Sequence, residues 1–260
     1  MKFLITITFH YNEAKLYYLK RVLDSIENIK TERTKIIISV NDISDEESKV
    51  ILSLNENLDI TLNPVRRLYH PFFLAWAHKH YMLEFLDSDE FSHFVYLEDD
   101  IEITQTTIDY WIRTRELFKR NNLKFIPSII RIEYDSKGDK FCVDSIRSNK
   151  NRPIINIEKE KFISIESPYQ AMFIMDRELV KEHVMSRSYR YETATPFRGS
   201  WLIQDLASQG NMFENIPEGF EHRMLLSIDN YSDSLVHHNT DTYVSIKDHP
   251  HGKLPINLLF

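Results

Sequence analysis

Glycine is scarce, with five residues in 260. A loop that wraps phosphates in backbone N–H groups needs several glycines close together, and neither the Walker nor the dinucleotide-binding fingerprint occurs. A phosphate ligand would have to be neutralised in another way. Cysteine is scarcer still: Cys142 stands alone. No disulfide can close within the chain, which fits a reducing, cytoplasmic setting. No apolar run approaches the ~18 residues of a membrane-spanning helix, so any membrane contact is expected to be peripheral. Basic residues are in deficit, 32 Lys and Arg against 39 Asp and Glu, for a net charge of −7. Nucleic-acid binding needs a basic face, and that partner class is set aside. The opening MKFLITITFHYNE has only a short apolar run, broken by threonines, with no small-residue cleavage site behind it. It reads as a first strand rather than an export signal.

What the chain has in quantity is alternating apolar pattern. KFLITITFH is rich in β-branched residues and reads as a buried strand. Leu16, Leu19, Val22, Leu23 and Ile26 follow at helical spacing, with Asn12 placed to cap. A second strand in TKIIISVND precedes a helix with an acidic first turn, SDEESKVIL. DITLNPVRRLY reads as a short strand and loop, HPFFLAWAHKHYMLEFLD as a third helix, and FSHFVYLEDDI as another strand. This strand–helix alternation predicts a parallel sheet with crossover helices. Beyond it lie the helix TQTTIDYWIRTRELFKRNN, short strands and turns, and a histidine-bearing tail. No linker or repeat interrupts the 260 residues. The expectation is one α/β domain, mostly parallel in its first half and mixed in its C-terminal half.

FVYLEDDIEI, residues 94–103, raises the chemical question. Apolar residues run straight into Glu98, Asp99 and Asp100, so three mutually repelling acids sit at the carboxyl end of a buried strand. In a continuing strand Glu98 and Asp100 would share one face, with Asp99 on the other. Ligands of open α/β sheets bind beyond such ends. Hard carboxylate oxygens there suit Mg²⁺ or Mn²⁺, with substrate phosphates completing the shell. A solvated strand end with three exposed acids is the plainer alternative.

LEDDIE resembles the metal-binding acidic motif of GT-A fold glycosyltransferases, in which a hydrophobic strand ends in a DxD-type sequence. The resemblance implies a Rossmann-like, mostly parallel central sheet flanked by helices. It also implies a nucleotide-sugar-binding half over 1–103 and an acceptor and catalytic half over 104–260. Asp100 would bind the ion that bridges a donor diphosphate, while Glu98 and Asp99 would face the donor ribose or sugar. His10 and Asn12, in TFHYNE after the first strand, fall where this fold carries nucleotide contacts. Asp42, after the second strand, matches an acid that touches the uracil or ribose; a turn or helix-cap role competes for it. His78 and Lys79 occupy the place of a basic element that reaches the diphosphate, although the usual Ala-Arg-Asn is missing.

In the same resemblance, Asp205 of SWLIQDLAS corresponds to the general base of an inverting transfer, with Gln204 where a Glu is usual. Arg198 and Trp201 are candidate acceptor contacts. His237 and His238 follow a late strand, where related enzymes complete the metal shell or touch the diphosphate, and His238 is the preferred ligand. The implied activity is metal-dependent transfer of a sugar, UDP-linked by expectation, to a hydroxyl of a glycan or lipid-linked glycan. A cytoplasmic enzyme of polysaccharide biosynthesis, in contact with the inner membrane face, would fit. A retaining transferase, a metal-dependent phosphoester hydrolase and a non-catalytic sugar- or protein-binding domain are the competing readings.

Overall fold

The computed structural model describes residues 1–194 and 201–260. In chain order the elements are β1 (Lys2–Phe9), α1 (Leu16–Glu27), β2 (Arg33–Val40), α2 (Asp45–Leu52), β3 (Ile60–Pro64), α3 (His78–Leu86) and β4 (His93–Glu98). The short β5 (Ile101–Glu102) and the long α4 (Gln105–Arg120) follow, then β6 (Ile126–Pro127), β7 (Ile130–Tyr134), β8 (Lys140–Cys142), β9 (Ile154–Ile157) and β10 (Glu160–Ile163). The chain closes with β11 (Met172–Asp176), α5 (Arg177–Val184), α6 (Ile203–Ala207), β12 (Met224–Ser227), β13 (Leu235–His238), α7 (Thr242–Ser245) and β14 (Leu254–Pro255).

The elements sort into two compact units. One holds Met1–Ile101 and Ala171–Asn211, the other Glu102–Gln170 and Met212–Phe260. The segment from Ala171 to Asn211 thus belongs with the N-terminal residues.

The first unit carries a five-stranded sheet in the order β11-β4-β1-β2-β3. β1 pairs in parallel with both β2 and β4, β2 in parallel with β3, and only the edge strand β11 runs antiparallel. The central strand β1 is buried along almost its whole length, from Phe3 to Ile7 and again at Phe9, which explains its near-continuous apolar run. α1 buries Leu19, Val22, Leu23 and Ile26, the stripe visible in the sequence. α2 starts on a capping box. Ser44 Oγ accepts the Glu47 N–H, Glu47 returns a carboxylate to the Ser44 N–H, and its first turn is acidic throughout. The expected third helix is divided: Pro71–Ala77 is a tight 3₁₀ segment, and α3 begins only at His78. Pro71 sits at the start of that segment, where its missing N–H costs nothing, and His70 Nδ1 accepts the Phe72 N–H.

The second unit holds two further sheets. β6-β12-β10-β9 is mixed, with β6 and β12 parallel and β10 antiparallel to both its neighbours. In the other, β14-β8-β7-β13, the first three strands are antiparallel and β13 joins β7 in parallel. The first sheet packs with α4 through Leu117, Phe118, Phe125 and Phe162, while Ile130, Ile132, Cys142 and Leu226 build a second cluster. The α/β class is as expected, parallel in the first half of the chain and mixed later. Among the described residues no helix is long and apolar enough to cross a membrane.

Candidate functional site

Strand order locates the site. From β1 the chain steps to β2 and β3 on one side, then returns to place β4 on the other side of β1. The carboxyl ends of β1 and β4 therefore flank a topological switch point, where connections diverge and a crevice opens. The register sets Thr8 beside Glu98 at that end. A cavity of about 600 Å³ lies there.

One wall comes from the residues just past β1: His10, Tyr11, Asn12 and Lys15. Asn12 shapes it, since its Oδ1 accepts the Ala14 N–H and so starts the 3₁₀ turn that ends on Lys15. Tyr11 is fixed from β2, its N–H donating to Asn41 Oδ1 at 2.7 Å. A second wall carries Tyr96, Glu98 and Asp99. A third is apolar, made of Pro71, Phe72, Leu74 and Ala75. Gln204 of α6 also lines the cavity, with its side-chain oxygen buried and without a hydrogen-bond partner among the described residues. α6 is pinned to the apolar wall by Trp76, whose indole N–H donates to Ile203 O at 2.9 Å.

Charge is concentrated at the end of β4. The strand stops at Glu98, and Asp99 and Asp100 enter a turn. The strict two-face alternation expected of the three acids ends with the strand, and Glu98 and Asp99 both face the cavity. Burial, then the neighbouring Asp100, raises the Asp99 pKa, opposed by Lys15. Lys15 Nζ stands 3.5 Å from Asp99 Oδ2. Burial pulls its pKa down, but the charges of Asp99, Asp100 and Glu98 outweigh that and raise it. Among the described residues no group of three or more His, Cys, Asp or Glu side chains is arranged to hold a metal ion. The donor chemistry of Glu98, Asp99 and Asp100 nevertheless fits a hard divalent cation. Crowded carboxylates whose ionisation is opposed by burial and by each other are stabilised by added positive charge.

The other residues singled out in the sequence are distributed as follows. His10 and Asn12 line the cavity; Asp42 does not, but is exposed and paired with Arg66 at 3.4 Å. Its neighbour Asn41, just past β2, acts on the cavity wall only through Tyr11. His78 and Lys79 are a correction. Both are buried in α3, 1% and 5% exposed, and neither lines the cavity. Lys79 Nζ donates to His183 Nε2 at 2.6 Å, and His183 Nδ1 donates onward to Asn211 Oδ1 at 2.9 Å. Burial drives the Lys79 pKa well below its ordinary value. A lysine enclosed in the core and held by His183 is out of reach of a phosphate in the cavity, contrary to what the resemblance implied. The cavity has Lys15 instead. A signal for it was present: it lies three residues past the Asn12 cap, in the first turn after β1.

Asp205 sits on α6 immediately after Gln204, and its Oδ2 accepts the Leu202 N–H at 3.2 Å. Arg198 lies outside the described residues. His238 belongs to the second unit, 7% exposed, with Nδ1 bonded to Glu133 Oε1 at 2.6 Å and its ring stacked on Tyr243. His237 is held between Glu102 at 3.5 Å and Asp241 at 3.0 Å.

No family model matches the sequence, and no curated protein does. Solved structures of S. aureus TarS are similar in fold. A form of residues 1–349 gives a TM-score of 0.46 at 10% identity, covering 87% of this chain and 58% of that one. The same form in complex with UDP-GlcNAc gives 0.44 at 10% identity, covering 87% and 56%. A longer TarS structure gives 0.48 at 10% identity, with 35% of its length covered. The chain thus spans a little over half the length of the first two.

Proposed function

We propose that this chain is a metal-dependent glycosyltransferase of the GT-A type. It would move a sugar from a nucleoside-diphosphate donor, UDP-linked in our reading, to a hydroxyl of a glycan or lipid-linked glycan. The observation that carries the proposal is the cavity at the β1/β4 switch point, where Glu98, Asp99, Lys15 and Gln204 converge beside an apolar wall. Such a crevice takes nucleotides in open α/β sheets. Its charge pattern suits a diphosphate held through a cation and not through a glycine loop. A bound Mg²⁺ or Mn²⁺ would neutralise the departing diphosphate.

Asp100 is assigned as the carboxylate that holds the ion, and Glu98 and Asp99 as the groups facing the donor's ribose or sugar. Asp205 is assigned as general base. It accepts the proton of the acceptor hydroxyl as that oxygen attacks the anomeric carbon, and the bond from that carbon to the diphosphate breaks. This is a single displacement with inversion. The position of Asp205, one residue from a cavity-lining side chain, supports the role. The test is a screen of nucleoside-diphosphate sugars for binding that depends on Mn²⁺ or Mg²⁺, followed by transfer assays with the donor found. Asp100→Asn is expected to lower metal-dependent transfer by about two orders of magnitude or more. Full activity in that variant would remove Asp100 from the site, and a product of retained anomeric configuration would remove the role of Asp205.

A further inference from the structure

Lys15 is the one lysine or arginine among the described residues that line the donor cavity. Its ammonium stands 3.5 Å from Asp99 Oδ2, longer than the ~2.7–2.9 Å of a tight charge-assisted hydrogen bond. Its side chain is 44% exposed while that of Asp99 is 11% exposed. The pair therefore joins a fixed, buried carboxylate to a cation on a flexible stem, and only the cation can turn away. Lys79, which the resemblance placed at the diphosphate, does not line the cavity and is bonded to His183 in the core.

We propose that Lys15 is a donor-binding residue that bonds the diphosphate directly and turns away from Asp99 when a divalent cation is held at the adjacent Asp100. The proposal rests on the donor reading above. Beside Asp99 the Lys15 ammonium supplies positive charge to the acidic cluster. With a nucleoside diphosphate and no metal, its ammonium turns from Asp99 to the phosphate oxygens. With metal present, ammonium and ion no longer compete, because each faces a different anionic group. Two consequences follow. Nucleotide binding has a component that survives chelation of metal and depends on the phosphates. Lys15 also weakens metal binding to the nucleotide-free chain.

Calorimetric titration of the full chain with UDP and with uridine, in EDTA and in Mn²⁺, tests the first consequence. Titration with Mn²⁺ alone, followed by the spin resonance of the free ion, tests the second. Loss of one charge-assisted contact predicts that Lys15→Met weakens UDP binding in EDTA about tenfold or more. Uridine binding should change less than twofold, and Lys15→Arg should recover most of the UDP affinity. Mn²⁺ alone should bind Lys15→Met several-fold more tightly than the parent chain. Equal UDP affinity in EDTA for parent and Lys15→Met, or a UDP loss matched by an equal uridine loss, would overturn the proposal. So would a parent chain that binds UDP only when metal is present. Failure of both proteins to bind UDP in either buffer is a different result: it defeats the donor reading itself, and the phosphate role of Lys15 falls with it. Near-ultraviolet circular dichroism and melting of the variants show that the cavity is otherwise intact.

Discussion

His222 ties the stability of the second unit to acid, and the effect can be worked through. The imidazole is fully buried, and its two nitrogens have fixed duties. Nε2–H donates to Ile165 O at 2.7 Å, and Nδ1 accepts the Met224 N–H at 3.1 Å. A proton added at Nδ1 would face an N–H donor and would have to be carried in a desolvated site beside the charge of Arg152. Burial, partly opposed by the Ile165 carbonyl, accordingly lowers the pKa to about 4. The unfolded chain binds that proton near pH 6.5. Because the folded value is the lower one, the contribution is fully present above the unfolded pKa and is lost as pH falls toward the folded one. Between about pH 7.5 and about pH 5 this single group removes about 2 kcal/mol. Equilibrium urea unfolding of the parent and of His222→Gln at both pH values measures it. The glutamine titrates nowhere in this range, so its pH-dependent loss should be about 2 kcal/mol smaller. His78, His183 and Lys79 have pKa values lowered in the same direction, but they are common to both proteins and cancel in the difference. Equal losses in the two proteins, or a His222 resonance titrating near the free-histidine value, would refute the reasoning.

Two substitutions test other parts of the structure. Asp205→Asn keeps an oxygen to accept the Leu202 N–H but removes the basicity, so transfer should fall by about 10²- to 10⁴-fold with little change in melting temperature. A large melting change with nearly normal turnover per folded molecule would mark Asp205 as a helix cap alone. Glu133 is fully buried, and its two oxygens bond His238 Nδ1 and the Val244 N–H, each at 2.6 Å. Glu133→Ala strands both donors and should cost about 3–5 kcal/mol in urea unfolding; a loss below about 1 kcal/mol would show that water replaces the carboxylate.

Much of the frame was legible because local pattern and tertiary demand coincide. The β-branched run of β1 belongs to a strand buried between two parallel neighbours, and the stripe of α1 covers the face that packs. Asn12 and Ser44 cap because their short side chains reach backbone donors two and three residues on, a purely local geometry. The acids at the end of β4 stood out in the sequence for a similar reason: no local structural need explains three of them at a strand end. Other features are non-local. That Ala171–Asn211 rejoins the N-terminal residues depends on β11 pairing antiparallel with β4, a contact between segments about 75 residues apart.

The two lysines show where the boundary lies. The resemblance placed Lys79 at the diphosphate and passed over Lys15, although by sequence alone the two carry the same charge. Folding turns Lys79 into the core, where desolvation lowers its pKa and His183 accepts its N–H, and leaves Lys15 half in solvent beside Asp99. Strand order does the same for the acids, by setting Glu98 beside Thr8 at the one gap where the sheet changes direction. The sequence by itself determined the elements, their caps and the excess of negative charge at one strand end, since these follow from the period of side chains and from short-range bonds. Only the tertiary structure decided which charges share a cavity, because burial and long-range pairing are properties of neighbours in space.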